Sequence, residues 1–103
     1  MKYSQAMVDY TLLVDGIIKE QELIIGPLAW DEARKVHGVH VVDARQGTVE
    51  IHDGDDRLVI DNLVAQYERL FGKASREACR EAVGSLIAEL TPAQIPDSLK
   101  EQS

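Results

Sequence analysis

The chain has 103 residues, of which 45% are apolar, so it is the size of one domain that can bury a single modest core. Its 18 acidic and 11 basic residues give a net charge of −7, which disfavours nucleic acid and anionic membrane surfaces as partners. The longest nearly apolar stretch, residues 23–30, is far shorter than the roughly 20 residues that cross a bilayer, so no membrane span is expected.

The start of the sequence does not have the features of a secretory signal. Residues 1–13 contain one lysine and lack a continuous apolar region followed by a small-residue cleavage site. The single cysteine, Cys79, cannot form an internal disulfide, which agrees with a reducing compartment. We therefore expect a cytoplasmic protein.

The sequence aligns with itself at an offset of 46 residues, so that residues 12–38 face residues 58–84 without a gap. Six of the 27 aligned pairs are identical, against about two expected from ordinary composition. Several other pairs keep apolar character at the spacing of one helical face. The alignment predicts two helix–glycine–helix units, about 4–38 and about 55–90, with a possible internal pseudo-two-fold. The alternative is that any two amphipathic helices align passably.

In the first unit, Ser4 or Thr11 can cap an amphipathic helix whose apolar face includes Ile24 and which ends at the glycine–proline pair 26–27. Glycine accepts the left-handed conformation that closes a helix, and proline suits the first turn of the next helix. The pair therefore predicts a sharp corner. The second helix is predicted to reach about His37, with Gly38 as its C-terminal cap.

Residues 39–53 are rich in β-branched side chains that alternate with polar ones. This pattern predicts a β-hairpin with a three-residue loop at 45–47, which places His40 directly opposite His52. A two-stranded hairpin is marginal alone, so its apolar face is expected to pack on the helices or on a second molecule. That inward face comprises Val39, Val41, Val49 and Ile51, and the outward face comprises His40, Val42, Glu50 and His52.

In the second unit, Asp55 or Asp56 can cap the first helix, and Gly72 repeats the corner. An apolar stripe then predicts one continuous helix over residues 74–90. Gly84 lies inside that stripe, where glycine costs about 1 kcal/mol relative to alanine. We interpret Gly84 as a point where another helix comes close, rather than as a break.

The C-terminal tail, residues 91–103, begins with a capping-box pattern but meets Pro96 too soon to form more than a turn. Ile95 and Leu99 can anchor it. Taken together, the elements predict a mostly helical α+β fold in a single domain, residues 1–103, in which two helix–Gly–helix pairs flank a central β-hairpin.

Three histidines, His37, His40 and His52, are the only candidates for a metal-binding or reactive cluster. With a nearby carboxylate they could supply ligands to zinc or another divalent ion. Because their side chains need not converge, solvated surface histidines are the simpler interpretation, and no metal site is predicted. A pH-sensitive role for the cross-strand pair is a third interpretation.

Other chemical signatures are weaker still. The acidic loop 53–56 lacks the spacing and the distal glutamate of an EF-hand, and helix capping explains it. Cys79 lies on an apolar stripe and is predicted to be buried and inert. No catalytic, phosphate-binding, dinucleotide or paired-cysteine motif occurs in the sequence, so no catalytic residue and no cofactor are predicted.

The preferred hypothesis is a small noncatalytic interaction or regulatory domain that self-associates, because the N-terminal helix carries apolar residues on more than one face, led by residues 6–8. The first alternative is a small enzyme or metal-binding accessory subunit that uses the hairpin histidines. The second is a winged-helix-like DNA-binding protein, although Arg45 is the only permanent cation of the hairpin. A ligand pocket with Trp30 and Tyr67 as walls is a further hypothesis.

Overall fold

The computed structural model describes residues 9–52 and 54–100, and within them the chain is mostly helical with one two-stranded antiparallel sheet. The predicted α+β, mostly helical class with a β-hairpin is confirmed. In the described part of the chain, no helix combines the length and the apolar character that crossing a membrane requires. The helices and strands, in chain order, are α1 (Tyr10–Ile25), α2 (Leu28–Arg34), β1 (Val39–Asp43), β2 (Thr48–Ile51), α3 (Asp56–Phe71), α4 (Lys73–Ala82) and the short α5 (Gly84–Ile87), followed by two 3₁₀ turns at Pro92–Gln94 and Asp97–Leu99.

Helices α1 and α3 are built alike at the offset of 46 residues. Both are 16 residues long, and both begin after an aspartate, Asp9 or Asp55, whose carboxylate accepts a hydrogen bond from the backbone N–H two residues on. Both end at a glycine of positive φ, Gly26 or Gly72. The predictions of Asp55 and Gly72 are therefore confirmed, whereas Asp9 takes the capping role predicted for Thr11. The other predicted cap, Ser4, lies outside the described residues.

The buried faces of the two helices also match. Two hydrogen bonds cross between the units: Gln21 Nε2 donates to the carbonyl of Ser75 at 3.2 Å, and Tyr67 OH donates to the carbonyl of Ala29 at 2.6 Å. Both the donors and the acceptors are 46 residues apart, which is the pattern that an internal two-fold axis produces. The axis itself stays a prediction. The matching buried residues are 13, 14, 17, 18 and 21 in α1 and 59, 60, 63, 64 and 67 in α3.

The second helices depart from the prediction at their ends. Helix α2 ends at Arg34 rather than near His37, and its C-terminal cap is Lys35. Gly38, with a φ of 95°, instead belongs to the turn that leads into β1, where its carbonyl accepts a hydrogen bond from His52 N. The conformation of Gly38 is therefore used at the base of the hairpin and not to cap the C-terminus of α2.

The prediction of one continuous helix over residues 74–90 is wrong, because the helix is interrupted at Val83. Val83 is fully buried, and a Cβ built on Gly16 of α1 would lie 3.1 Å from Val83 Cγ1. By contrast, no atom lies within 4 Å of a Cβ built on Gly84. The close helix approach predicted at Gly84 thus occurs at Gly16, and packing of Val83 against α1 coincides with the break.

The strands pair in a register two residues away from the predicted one: His40 lies opposite Glu50, not opposite His52. Asp43 explains the difference, because its Oδ1 accepts hydrogen bonds from the backbone N–H groups of Arg45 and Gln46 and lengthens the turn. A two-residue displacement leaves every side chain on its predicted face. Accordingly, the inward-facing side chains are buried or half-buried, and the outward-facing His40, Val42, Glu50 and His52 are exposed.

The buried apolar side chains of both units and of the hairpin form one cluster. Leu99, 1% exposed, joins it from the tail, and Ile95 packs against it, so both predicted anchors are confirmed. The predicted capping box at the start of the tail is present, since Gln94 Oε1 accepts a hydrogen bond from Thr91 N. One shared core agrees with the single domain 1–103, which itself stays a prediction.

Candidate functional site

The hairpin histidines meet on the outer face of the sheet. The rings of His40 and His52 stand edge to face, with centroids 5.4 Å apart and planes at 88°. His52 Nε2 lies 2.8 Å from Glu50 Oε1, and His37 lines the same shallow depression. The structure therefore brings the predicted histidines together, but as diagonal rather than directly opposed neighbours.

This depression is open to water. The side chains of His52 and Glu50 are 53% and 56% exposed. Within residues 9–52 and 54–100, no three His, Cys, Asp or Glu side chains come together in a group that could hold a metal ion. Asp53, one of the carboxylates near the histidines, lies outside the described residues. What the geometry supports is a hydrogen bond in which the His52 ring N–H donates to the Glu50 carboxylate.

Helix α2, the candidate recognition helix of a winged-helix protein, has its cations paired with its own acids. Arg34 Nη1 lies 3.0 Å from Asp31 Oδ1, and Lys35 Nζ lies 3.1 Å from Glu32 Oε2. Glu32 also accepts a hydrogen bond from the Gln66 side chain. This hydrogen bond and, to a smaller extent, the one from Lys35 lower the pKa of the Glu32 carboxyl. Because a DNA-binding helix uses its cations on phosphates, this internal pairing counts against that function.

Trp30 and Tyr67, the predicted pocket walls, are core residues. Their side chains are 3% and 0% exposed, and both belong to the buried cluster. Tyr67 additionally carries one of the crossed hydrogen bonds between the units. Core packing, which is the commoner use of both residue types, is what the structure shows.

Cys79 is fully buried, as predicted, and the Gln21 side chain donates a hydrogen bond to its Sγ at 3.4 Å. Burial raises the pKa of this thiol to about 11. The thiol is therefore neutral near pH 7, and a neutral, buried thiol is a poor nucleophile.

We expect this thiol to make the protein less stable in alkaline solution. As the pH rises above about 9, the unfolded chain releases the Cys79 proton while the folded chain keeps it, so the folded state loses stability until about pH 11. The loss amounts to about 1 kcal/mol by about pH 10. Urea unfolding of the wild type and of Cys79→Ala from about pH 8 to 10 measures this loss. Burial also raises the pKa of Tyr67, but Tyr67 is present in both chains, so its contribution cancels when the two pH profiles are compared. Parallel pH profiles for the two chains would contradict the assignment.

Five of the eight large apolar side chains that are exposed in the described part of the chain flank the two glycine corners. The bonds Gln21–Ser75 and Tyr67–Ala29 tie the last turns of α1 and α3 to the start of the other unit's second helix, so both corners lie at the same end of the molecule. We call the apolar side chains at this end the corner face. Its members are Leu23 (83% exposed), Ile24 (58%), Leu28 (44%), Leu70 (41%) and Phe71 (39%).

The sequence interpretation anticipated surplus apolar surface on the first helix but not this location. It assigned Ile24 to the buried face, whereas Ile24 is exposed, and residues 6–8 lie outside the described residues. A usable signal was nevertheless present at the 46-residue offset: Ile24 aligns with Leu70, and both are apolar and exposed. A helical turn next to a glycine corner projects beyond the core, which makes such residues candidates for a surface role.

These three surfaces present different chemical groups to a partner. The hairpin depression presents a hydrogen-bonded histidine and glutamate in water, helix α2 presents paired charges, and the corner face presents uncovered apolar side chains. No protein-family model, no curated protein and no solved structure matches this chain, so its function must be inferred from these surfaces.

Proposed function

We propose that this chain is a small, noncatalytic interaction domain of the cytoplasm that associates with a second copy of itself through the corner face. The observation that carries the proposal is the exposure of five large apolar side chains in the helical turns beside the two glycine corners. Extended apolar surface on a small protein is typical of a protein-binding site. Covering it releases about 25 cal/mol for each Å² of apolar surface removed from water.

A second copy is the partner that this surface fits best. Ile24 and Leu70 occupy equivalent positions in the two units, so the face presents matching apolar groups on both of its halves. A two-fold dimer pairs the same patch of both copies, so a patch with apolar groups on both halves places apolar groups against apolar groups. The net charge of −7 opposes close approach of two copies elsewhere, which favours contact through uncharged side chains.

A protein partner is also favoured over nucleic acid. The net charge is negative, and the cations of α2 are paired with Asp31 and Glu32. The placement in the cytoplasm is supported by the free, buried thiol of Cys79 in a chain with one cysteine.

Removing apolar groups from the corner face is expected to weaken self-association at least about tenfold, which corresponds to about 1.4 kcal/mol. The double variant Leu23→Gln/Leu28→Gln changes two exposed side chains, so the fold should be retained. Sedimentation equilibrium at micromolar concentrations gives the dimer dissociation constant of each chain.

The matched control is Leu12→Gln/Val42→Gln. These side chains are 52% and 51% exposed and lie in the first turn of α1 and on the outer face of β1, away from the corners. The control is expected to dimerise as the wild type does. A wild type that is strictly monomeric, or equal weakening by both double variants, would show that the corner face is not a self-association surface.

A further inference from the structure

The C-terminal segment, residues 91–100, which we call the tail, is held to the helices by its backbone. Four of its carbonyl oxygens accept hydrogen bonds from side chains of the helices. Because every residue of a peptide offers such a carbonyl, these contacts depend on the path of the tail backbone, which includes its two 3₁₀ turns, rather than on its side chains. The pairs are Tyr10 with Gln94 (2.7 Å), Arg57 with Ala93, Arg76 with Ser98 (3.2 Å) and Arg80 with Lys100 (3.3 Å).

Side chains of the tail add selectivity. Asp61 Oδ1 accepts hydrogen bonds from both the backbone N–H and the hydroxyl of Ser98, at 2.9 and 2.6 Å. Leu99 is 1% exposed within the core cluster, and Pro96 is fully buried. The recognised pattern is therefore proline, any residue, serine, leucine. The surface that recognises it, which we call the tail groove, comprises Tyr10, Arg57, Asp61, Arg76 and Arg80 together with the core residues around Leu99.

The tail does not fill the space beside it. A cavity of about 350 Å³ lies on the α3 side, where Leu58 lines it, and another of about 440 Å³ lies on the α4–α5 side, where Ile87 lines it. Residues 88–90, which join the tail to α5, are exposed except for the half-buried Leu90. The tail thus resembles a peptide ligand on a short tether, anchored in the core by Leu99.

We propose that the tail groove also binds the tail of a second copy of this chain, so that two copies exchange their tails. A second copy presents the same Pro96-Asp97-Ser98-Leu99 sequence, and every contact of the bound tail is reproduced in the exchanged pair. Exchange requires that the tail leave its own groove and that the tether extend. The groove begins at Tyr10 and Arg57 in the first turns of α1 and α3 and shares no residue with the corner face, so this contact can be tested apart from the proposed apolar interface.

The first test adds a fluorescent peptide of residues 91–103 to full-length chains. The tail variant Ser98→Ala/Leu99→Ala weakens its own tail and frees the groove, so it should bind the peptide at least tenfold more tightly than the wild type does. Adding Asp61→Ala to the tail variant should weaken peptide binding at least tenfold. A peptide that carries both alanines is the control and should not bind. If the tail variant fails to fold by circular dichroism, Ser98→Ala alone takes its place.

The second test asks whether the occupant is the tail of another copy. A groove variant, Asp61→Ala, has an intact tail, and the tail variant has an intact groove, so only a mixed pair can form one complete contact between chains. Both chains also carry Leu23→Gln/Leu28→Gln, which separates this test from the corner face. Energy transfer between labelled chains should show at least tenfold more pairing in the mixture than in either variant alone.

The outcomes separate the two proposals. Peptide binding together with mixed pairing supports tail exchange, even if the corner-face variants show no defect in dimerisation. Peptide binding without mixed pairing would overturn the second copy as the occupant and indicate that the groove takes a segment of another protein. Absence of peptide binding to the tail variant would overturn the groove as a peptide site, whatever the oligomeric state of the wild type.

Discussion

Replacing Leu63 by alanine is expected to lower the free energy of unfolding by about 2–5 kcal/mol, which is a large part of the stability of a domain this size. Leu63 lies on the inner face of α3 and is fully buried in the core cluster. The loss combines the transfer free energy of the deleted methyl groups with the cost of the cavity they leave. Urea denaturation followed by circular dichroism measures it.

Two further substitutions show whether burial is the cause. Leu58→Ala changes the same residue type in the same helix, but Leu58 is 58% exposed, so a change of about 0.5 kcal/mol or less is expected. Ile17 lies 46 residues before Leu63 and is equally buried, so Ile17→Ala should cost a similar amount. Strong destabilisation by Leu58→Ala, or tolerance of both core substitutions, would mean that the core is not where the structure places it.

The parts of the fold that could be predicted from the sequence are those set by local chemistry. The cap at Asp55 and the corner at Gly72 depend on side-chain and backbone preferences within a few residues. The inner face of the hairpin depends only on alternation, which is why it was assigned correctly even though the register was not.

The parts that could not be predicted depend on contacts between distant residues. The turn bonded by Asp43 competes with a three-residue loop that suits the same sequence, and it decides the pairing of the histidines. Helix α4 ends where Val83 packs against Gly16, 67 residues earlier in the chain. The apolar stripe over residues 74–90 does not by itself reveal this break in the helix.

The candidate surfaces also depend on contacts between distant residues, so the sequence did not locate them. Periodicity assigned Ile24 to the interior, because the apolar stripe continues into the last turn of α1. Only the crossed bonds of Gln21 and Tyr67 show that this turn lies beside a corner at the end of the molecule. The tail groove is still less accessible to sequence reasoning, since arginines such as Arg57 and Arg76 read as solvated surface charges until their carbonyl partners are known.

Replacing Gly38 by alanine is expected to cost about 2–5 kcal/mol, from two separate causes. Its φ of 95° lies in the left-handed region, which costs a residue with a Cβ about 1–2 kcal/mol. A Cβ there would also lie 2.6 Å from Val59 Cγ2 and 3.0 Å from the carbonyl oxygen of His52, so neighbouring groups must move. Such overpacking costs about 1–3 kcal/mol more. Thermal and urea unfolding of the variant measure the sum.

Gly72→Ala separates these causes, because Gly72 has a φ of 90° but no atom within 4 Å of the added Cβ. Gly72→Ala should therefore lose only the stability that the backbone conformation costs. The additional loss of stability in Gly38→Ala then measures the close approach of Val59 and His52 at Gly38. The histidines give a second readout, since His52 N donates to the carbonyl of Gly38 at 2.8 Å. The ring proton resonances of His52 should shift in Gly38→Ala and stay unchanged in Gly72→Ala. Equal stability losses with an unshifted His52 would mean that the base of the hairpin does not pack against Val59, and the hydrogen bond between His52 and Glu50 would then lack a fixed position.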